Sequence, residues 1–145
     1  MDVLERILTT LVQEFSDLGQ VEHITRATLR LILAMVLGGL LGYEREVMGK
    51  AAGMRTHMLV CLGAAIFVMA LEQDGAEADA MSRVIQGIAA GVGFLGAGTI
   101  LKGQNISDVK GLTTAAGLWA SAAIGVAVGL GREATAVLST VIVLV

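Results

Sequence analysis

The chain has 145 residues, of which 55% are hydrophobic and 16% are charged, with a net charge of −3, 19 glycines and no proline. Because a soluble domain carries about 25% charged residues, this composition excludes a highly charged soluble surface, a disordered chain and a collagen-like repeat. The length excludes a large multidomain enzyme. Since the sequence has no basic stripe or aromatic platform, we expect no nucleic-acid binding.

The first segment predicts an amphipathic helix, which we assign to residues 1–25. It does not resemble a cleavable signal peptide, because charged residues interrupt every apolar run. Both a helix lying on the membrane surface and a helix packed on the rest of the protein fit this pattern. The apolar residues that recur at helical spacing are Val3, Leu4, Ile7, Leu8, Leu11, Val12, Phe15 and Leu18.

Residues 26–145 predict a transmembrane domain. Because about 20 helical residues cross a bilayer core of about 30 Å, the first four of its five apolar segments predict spans. The fifth is too short to span alone, and we expect a last span that is truncated. The fold class is therefore all-α: a polytopic transmembrane helical bundle of four to five spans, behind an N-terminal amphipathic helix. The five segments are Ala27–Tyr43, Thr56–Leu71, Val84–Leu101, Gly111–Gly131 and Ala134–Val145.

Few polar side chains lie within these segments. Arg30 is near the start of the first span, where we interpret it as snorkelling outward to the interface. Cys61 lies in an apolar run, which predicts a small buried side chain. The spans have no carboxylate at mid-depth, which argues against a proton relay. We also find no catalytic triad or metal-ligand set, so we expect no enzyme and no bound cofactor.

Glycine spacing indicates helix packing. The stretch Gly91–Gly96 has the G-x-G-x-x-G spacing of a dinucleotide site, but it lies inside an uncharged apolar segment without the strand and downstream acid which that site requires. We interpret it as a face that lets helices approach closely. The G-x-x-x-G spacing recurs at Gly38–Gly42, Gly87–Gly91 and Gly125–Gly129. Because such faces favour association, we expect a homo-oligomer, specifically a homodimer, embedded in membrane lipids.

A cluster of charges joins the first span to the second. One interpretation is a solvated or ion-paired belt that orients the helices. The other is an ion site at the mouth of the bundle, with Glu44 and Glu46 as candidate ligands of magnesium, which takes carboxylate oxygens. The residues are Glu44, Arg45, Glu46, Lys50, Arg55 and Thr56.

The loop charges bear on orientation. The loops Glu44–Arg55 and Lys102–Lys110 together hold five lysines and arginines, whereas the loops on the other side hold two. The positive-inside rule therefore places these two loops in the cytoplasm and the N-terminus outside. Counting Arg6, Arg26 and Arg30 as well makes the two sides equal, so charge alone leaves the orientation open.

Three strings together resemble the MgtC/SapB family of bacterial inner-membrane proteins, and the resemblance covers about residues 29–145. It implies an N-terminus outside and a cytoplasmic C-terminus. The strings are GGLLGYEREVMGKAAGMRTHMLVCLGAA (38–65), RVIQGIAAGVGFLGAGTIL (83–101) and VKGLTTAAGLWASAAIGVAVGLG (109–131). The family signature falls on Gly38, Gly42, Glu44, Arg45, Glu46, Lys50, Gly53, Arg55, Thr56, Arg83, Gly91, Phe94, Gly96, Gly98, Gly111, Leu112, Thr113, Thr114, Ala115, Ala116 and Trp119.

The resemblance adds Arg83 to the functional charge cluster. It also adds Thr113, Thr114 and Trp119 to the packing residues, which already include Gly96 and Gly98 of the glycine-rich face. It implies an association with magnesium limitation, acid stress and, in some members, restraint of the ATP synthase. We therefore expect a regulator that acts through helix contacts with itself or with a membrane complex. A cation channel or transporter with an acidic mouth, magnesium being the expected cation, is the alternative. Ala80 stands where an acid is common in the family. Thr113 and Ala120 depart from the Asn and Cys that the virulence-associated members prefer, which disfavours a virulence-specific role.

Overall fold

The computed structural model describes residues 2–14, 16, 19–73, 77–102 and 109–145. Helices α2 to α5 are each long and apolar enough to cross a membrane, and α6 is a shorter apolar helix. The prediction of an all-α, polytopic bundle is confirmed. The elements are α1 (Val3–Glu14), α2 (Val21–Val47), α3 (Met54–Gln73), α4 (Ala78–Ala97), β1 (Leu101–Lys102), β2 (Val109–Lys110), α5 (Leu112–Gly129) and α6 (Glu133–Leu144).

The N-terminal region differs from the prediction in its bounds. Helix α1 is amphipathic and buries none of its residues, whereas Phe15, Asp17 and Leu18 lie outside the described residues. Helix α2 begins at Val21, inside the element that we assigned to residues 1–25, and has 27 residues. At about 1.5 Å per residue it is about 40 Å long, more than the apolar core of a bilayer. Its polar first turns can therefore lie at the depth of the lipid headgroups.

Helices α3 and α5 lie together at the centre of the bundle. Helix α2 packs on both, α4 packs mainly on α5, and α6 packs on α5 and α2. Two apolar clusters fill the centre. The larger is formed by Ala34, Leu37, Leu41, Cys61, Ala65, Ile124, Val128 and Ala136, and the smaller by Ala52, Ala64, Val92, Leu118 and Ala122.

A short antiparallel hairpin precedes α5, and the sequence patterns did not predict it. Leu101 pairs with Lys110 and Lys102 with Val109, while residues 103–108 of this predicted loop lie outside the described residues. Gly111 follows the hairpin with a φ of 93°, and a β-carbon there would collide with the carbonyl oxygen of Thr99. Only glycine adopts this conformation freely, so Gly111 fixes the entry into α5.

The alternating helix directions define two ends of the bundle. The end that contains the start of α3 we call the His57 end, and it also contains the last turns of α2 and α4 and the start of α5. The opposite end we call the Arg30 end, and it contains the first turns of α2 and α4, the last turns of α3 and α5, and the start of α6.

Candidate functional site

The predicted charge cluster falls mostly at the His57 end. Glu44, Arg45 and Glu46 occupy the last turn of α2, Lys50 lies in the connection, and Arg55 and Thr56 lie in the first turn of α3. Arg83 does not join them, because it lies in α4 at the Arg30 end. Among the described residues none of these charges forms an ion pair; the ion pairs found there belong to Arg30.

Glu46 has a definite structural partner. Its Oε2 accepts a hydrogen bond of 2.8 Å from the backbone N–H of Met54, the first residue of α3. The first N–H groups of a helix have no partner within the helix, and a carboxylate there also interacts favourably with the helix dipole. A β-carbon at Gly53 would lie 2.6 Å from the same oxygen. Glu46 and Gly53 together fix the turn between α2 and α3.

His57 is fully buried one turn further along α3. Its Nδ1 lies 3.0 Å from the carbonyl oxygen of Gly53, and its Nε2 has no hydrogen-bond partner among the described residues. A β-carbon at Gly117 of α5 would lie 3.3 Å from this Nε2 and 3.9 Å from Nε of Arg45. The missing side chain of Gly117 therefore makes room for His57 and Arg45, a convergence that the sequence patterns did not indicate.

A magnesium site built from Glu44 and Glu46 does not fit this arrangement. The two residues are separated by one position in the continuous helix α2, and side chains at positions i and i+2 do not face each other. One carboxylate is occupied by the start of α3. The described part of the chain also contains no group of three carboxylate, histidine or cysteine side chains able to hold a metal ion.

The strongest polar site lies at the Arg30 end, and sequence reasoning missed it. The side chain of Arg30 is not a snorkelling group; the residue is only 8% exposed. Its Nη1 pairs with Oε2 of Glu72 and donates a 2.9 Å hydrogen bond to the carbonyl oxygen of Gly129. Its Nε lies 3.5 Å from Oε1 of Glu133. This triad ties α2 to the end of α3 and the start of α6.

The backbone between α5 and α6 is shaped around Arg30. Gly131 has a φ of 69°, and a β-carbon there would collide with Nη2 of Arg30. A buried charge is costly unless it is paired and hydrogen-bonded. The two carboxylates pair with the Arg30 guanidinium and the Gly129 carbonyl accepts a hydrogen bond from Nη1, whereas Nε has no hydrogen-bond partner among the described residues. In the sequence, Glu72 and Glu133 appear as ordinary acidic residues of predicted loops. Only the prediction that both loops lie at the same end of the bundle as Arg30 could have suggested the triad.

Two of the three G-x-x-x-G pairs that lie within helices are filled by α3. A β-carbon at Gly42 would lie 2.5 Å from Cα of Met54, and one at Gly38 would lie 2.7 Å from the carbonyl oxygen of His57. From α5, Gly125 approaches the carbonyl of Cys61, and a β-carbon at Gly129 would lie 2.8 Å from Cβ of Val68. These glycines allow three helix backbones to meet.

The third pair is open. A β-carbon at Gly87 or Gly91 of α4 would meet nothing within 4 Å, and the same holds for Gly63 on the facing side of α3. These residues line an apolar groove of about 830 Å³ that runs between α3 and α4, with Arg55 and Thr56 at its His57 end. We call it the α3–α4 groove.

Some of the remaining predicted packing residues lie inside the bundle and others lie on its surface. Gly96 contacts α5, where its β-carbon would lie 3.3 Å from Cβ of Ala115, whereas Gly98 has only backbone of its own helix end nearby. Thr114 is buried, and Thr113 and Trp119 are exposed.

Sequence comparison now places this bundle among known proteins. The family model described as MgtC family matches residues 31–145. The chain belongs to the MgtC family. The match runs from residue 31 in α2 through α6, so the Arg45–His57 convergence, Glu72 and Glu133 lie inside the family region, and Arg30 immediately precedes it. The four apolar spans agree with a membrane protein.

Curated relatives of this MgtC-family chain include Protein SrpB of Synechococcus elongatus, 48% identical over 70% of this chain and 62% of SrpB. Protein MgtC of Salmonella typhimurium is 46% identical over 80% of this chain and 48% of its own length. The putative magnesium transporter YhiD of Escherichia coli K12 is 40% identical over 80% of this chain and 56% of YhiD. The chain thus spans about half to three fifths of these relatives. No solved structure matches it.

Proposed function

We propose that this protein is a regulator linked to magnesium homeostasis or to acid and low-magnesium stress, acting through helix contacts with a second copy of itself or with another membrane complex. Membership of the MgtC family and the name of its relative YhiD, a putative magnesium transporter, support the magnesium link. The ATP synthase is a candidate partner, by resemblance to the family alone. We place the protein in the bacterial inner membrane with its N-terminus outside and its C-terminus in the cytoplasm, so that the His57 end is cytoplasmic.

The observation that carries this proposal is the empty glycine pair of α4. Small residues in membrane helices favour association because they let backbones approach closely and make many van der Waals contacts. Inside the bundle the pairs Gly38–Gly42 and Gly125–Gly129 meet a neighbouring backbone, whereas Gly87–Gly91 faces open space along the α3–α4 groove. A helix from a second copy would fill that space in the same way.

The packing at the centre favours a regulator over a pore through one protomer. The described residues between α2, α3, α5 and α6 form an apolar cluster. Of the buried hydroxyl groups, Ser121 and Thr140 donate to carbonyl oxygens of their own helices. The buried charged group Arg30 lies at one end. A cation channel with an acidic mouth at Glu44 and Glu46 therefore has less support.

The test combines a growth assay, a pull-down and a flux assay. In a bacterial strain that depends on this protein in low magnesium, Gly91→Ile should abolish the growth that the wild-type chain supports, because the larger side chain blocks the groove. Val36→Ile, at an exposed position of α2, is the matched control and should support growth. Wild-type protein in liposomes should carry no magnesium, potassium or proton flux.

Three results would contradict the proposal. One is full growth of the Gly91→Ile strain. Another is a cation flux through the purified protein at a rate that explains the growth. The third is a pull-down from native membranes that recovers only monomeric protein.

A further inference from the structure

A second cleft lies away from the α3–α4 groove, at the Arg30 end between α2 and α3. It has a volume of about 300 Å³ and is lined by His23, Arg26, Ala27, Arg30, Met69 and Glu72. We propose that this cleft binds the headgroup of a phospholipid that carries both a phosphate and a primary ammonium group. We call it the headgroup cleft, and the proposal is independent of the function proposed above.

The depth of the cleft suits a headgroup. Ala27 begins the apolar part of α2, and Glu22, His23 and Arg26 precede it. The other end of the same helix carries Glu44 and further charges. A 27-residue helix exceeds the apolar core of a bilayer by about 10 Å, so its charged first turns can lie at the level of the phosphates. The headgroup cleft opens at that level.

The cationic side of the cleft is available for a phosphate. Arg30 is buried and engaged by Glu72, Glu133 and the carbonyl of Gly129. Arg26 lies about one turn earlier on the same face of α2, is exposed, and forms no ion pair with any residue that the structure describes. Arginine binds phosphate oxygens through paired hydrogen bonds. Arg26, with His23 beside it, is therefore the group that would hold the phosphate.

The anionic side of the cleft is available for an ammonium. Oε2 of Glu72 pairs with Arg30, and the side chain of Glu72 remains 45% exposed. The triad of Arg30, Glu72 and Glu133 has two carboxylates for one guanidinium, which leaves one negative charge in excess. A primary ammonium carries three N–H donors and can bond to Glu72, whereas a trimethylated ammonium has no donor and a glycerol headgroup has no positive charge. The cleft therefore favours ethanolamine over choline and glycerol.

Native mass spectrometry of the delipidated full chain in detergent tests this inference. The probes are dioleoyl lipids with ethanolamine, choline or glycerol headgroups, added at equal concentration. We expect about tenfold greater retention of the ethanolamine lipid, as a charge-assisted hydrogen bond provides. Arg26→Gln should lower that retention by about tenfold on the same grounds. Arg132→Gln, at an exposed arginine of the same end that does not line the cleft, should retain the wild-type preference.

Two competition experiments distinguish a bound lipid from a bound soluble phosphate compound. Excess O-phosphoethanolamine or inorganic phosphate should displace less than half of the bound ethanolamine lipid, because neither carries acyl chains. Complete displacement by either compound would overturn the lipid as the ligand. Equal retention of the three lipids, or an Arg26→Gln variant that keeps the wild-type preference, would overturn the headgroup cleft itself.

Discussion

The two faces of α3 show what glycine spacing does and does not determine. On one face, α2 and α5 pack against Cys61, Ala65 and Val68 of α3, which are fully buried. The glycines of α2 and α5 contact the α3 backbone there. On the other face, Gly63 and the glycines of α4 line an open groove. The same sequence spacing produces a filled contact in two places and an empty surface in the third.

This difference shows that G-x-x-x-G spacing marks a helix surface that is able to pack closely. Whether that surface is filled depends on the position of the neighbouring helix. Helix α4 buries only Val92 and Gly96, and Phe94 is 81% exposed. Exposure of apolar residues to lipid is ordinary in a membrane, but an unfilled pair of glycines gives no van der Waals contact. Four predictions of stability below begin at the packed face and end at the open face, and a cross-linking measurement then tests the open face directly.

The largest effect should come from Gly125→Val. Its β-carbon would collide with the Cys61 backbone, and two backbones must then move apart. We expect a loss of about 3 kcal/mol or more of the free energy of unfolding, measured by thermal unfolding in detergent with circular dichroism. Gly63→Val, on α3 where it lines the open α3–α4 groove, is the control. Equal stability of the two variants would contradict the difference between the faces.

The second largest loss of stability should come from breaking the Arg30 triad, because the triad joins the packed helices at one end. Arg30→Gln removes the partner of Glu72 and Glu133, which are about half-exposed and can be partly hydrated. We expect a loss of about 2 kcal/mol of the free energy of unfolding, below the range for a fully buried pair. Arg26→Gln provides a nearby control without an ion pair among the described residues. A triad variant as stable as this control would show that the ion pairs are not important for stability.

The sequence predicted the spans well because their signal is local. Uncharged runs of sufficient length predict helices whatever they contact, and the described residues contain four such helices and a shorter fifth. The Arg30 triad was out of reach because Glu72 lies 42 residues away along the chain and Glu133 further still. Their convergence depends on helix pairing. His57 beside Gly117 was missed for the same reason, and the capping role of Glu46 depends on the turn that follows it.

A smaller effect is expected at the start of α3. Glu46→Ala removes the acceptor for the Met54 N–H, and loss of a helix cap costs about 1 kcal/mol. Glu44→Ala, two residues away, is the matched control and should change stability less, because the side chain of Glu44 forms no such hydrogen bond with any residue that the structure describes. The pair of thermal unfolding curves checks this. The reverse order of stability would contradict the assignment of Glu46 as the cap of α3.

The smallest effect on stability should come from Gly91→Val. A side chain there meets nothing within 4 Å in one protomer, so we expect the free energy of unfolding of the monomer to change by less than about 0.5 kcal/mol. Unfolding is measured in dilute detergent, where association is minimal. A loss as large as that of Gly125→Val would mean that the open face is packed in the folded chain.

Disulfide cross-linking in native membranes tests the central claim, that the open face of α4 is the contact between two copies. Gly91→Cys places a thiol on that face, while the native Cys61 is buried inside the bundle and Val36→Cys places a control thiol on the exposed side of α2. With a membrane-permeable oxidant we predict a covalent dimer for Gly91→Cys and little for Val36→Cys. Monomer alone for both variants, or equal dimer for both, would contradict the claim.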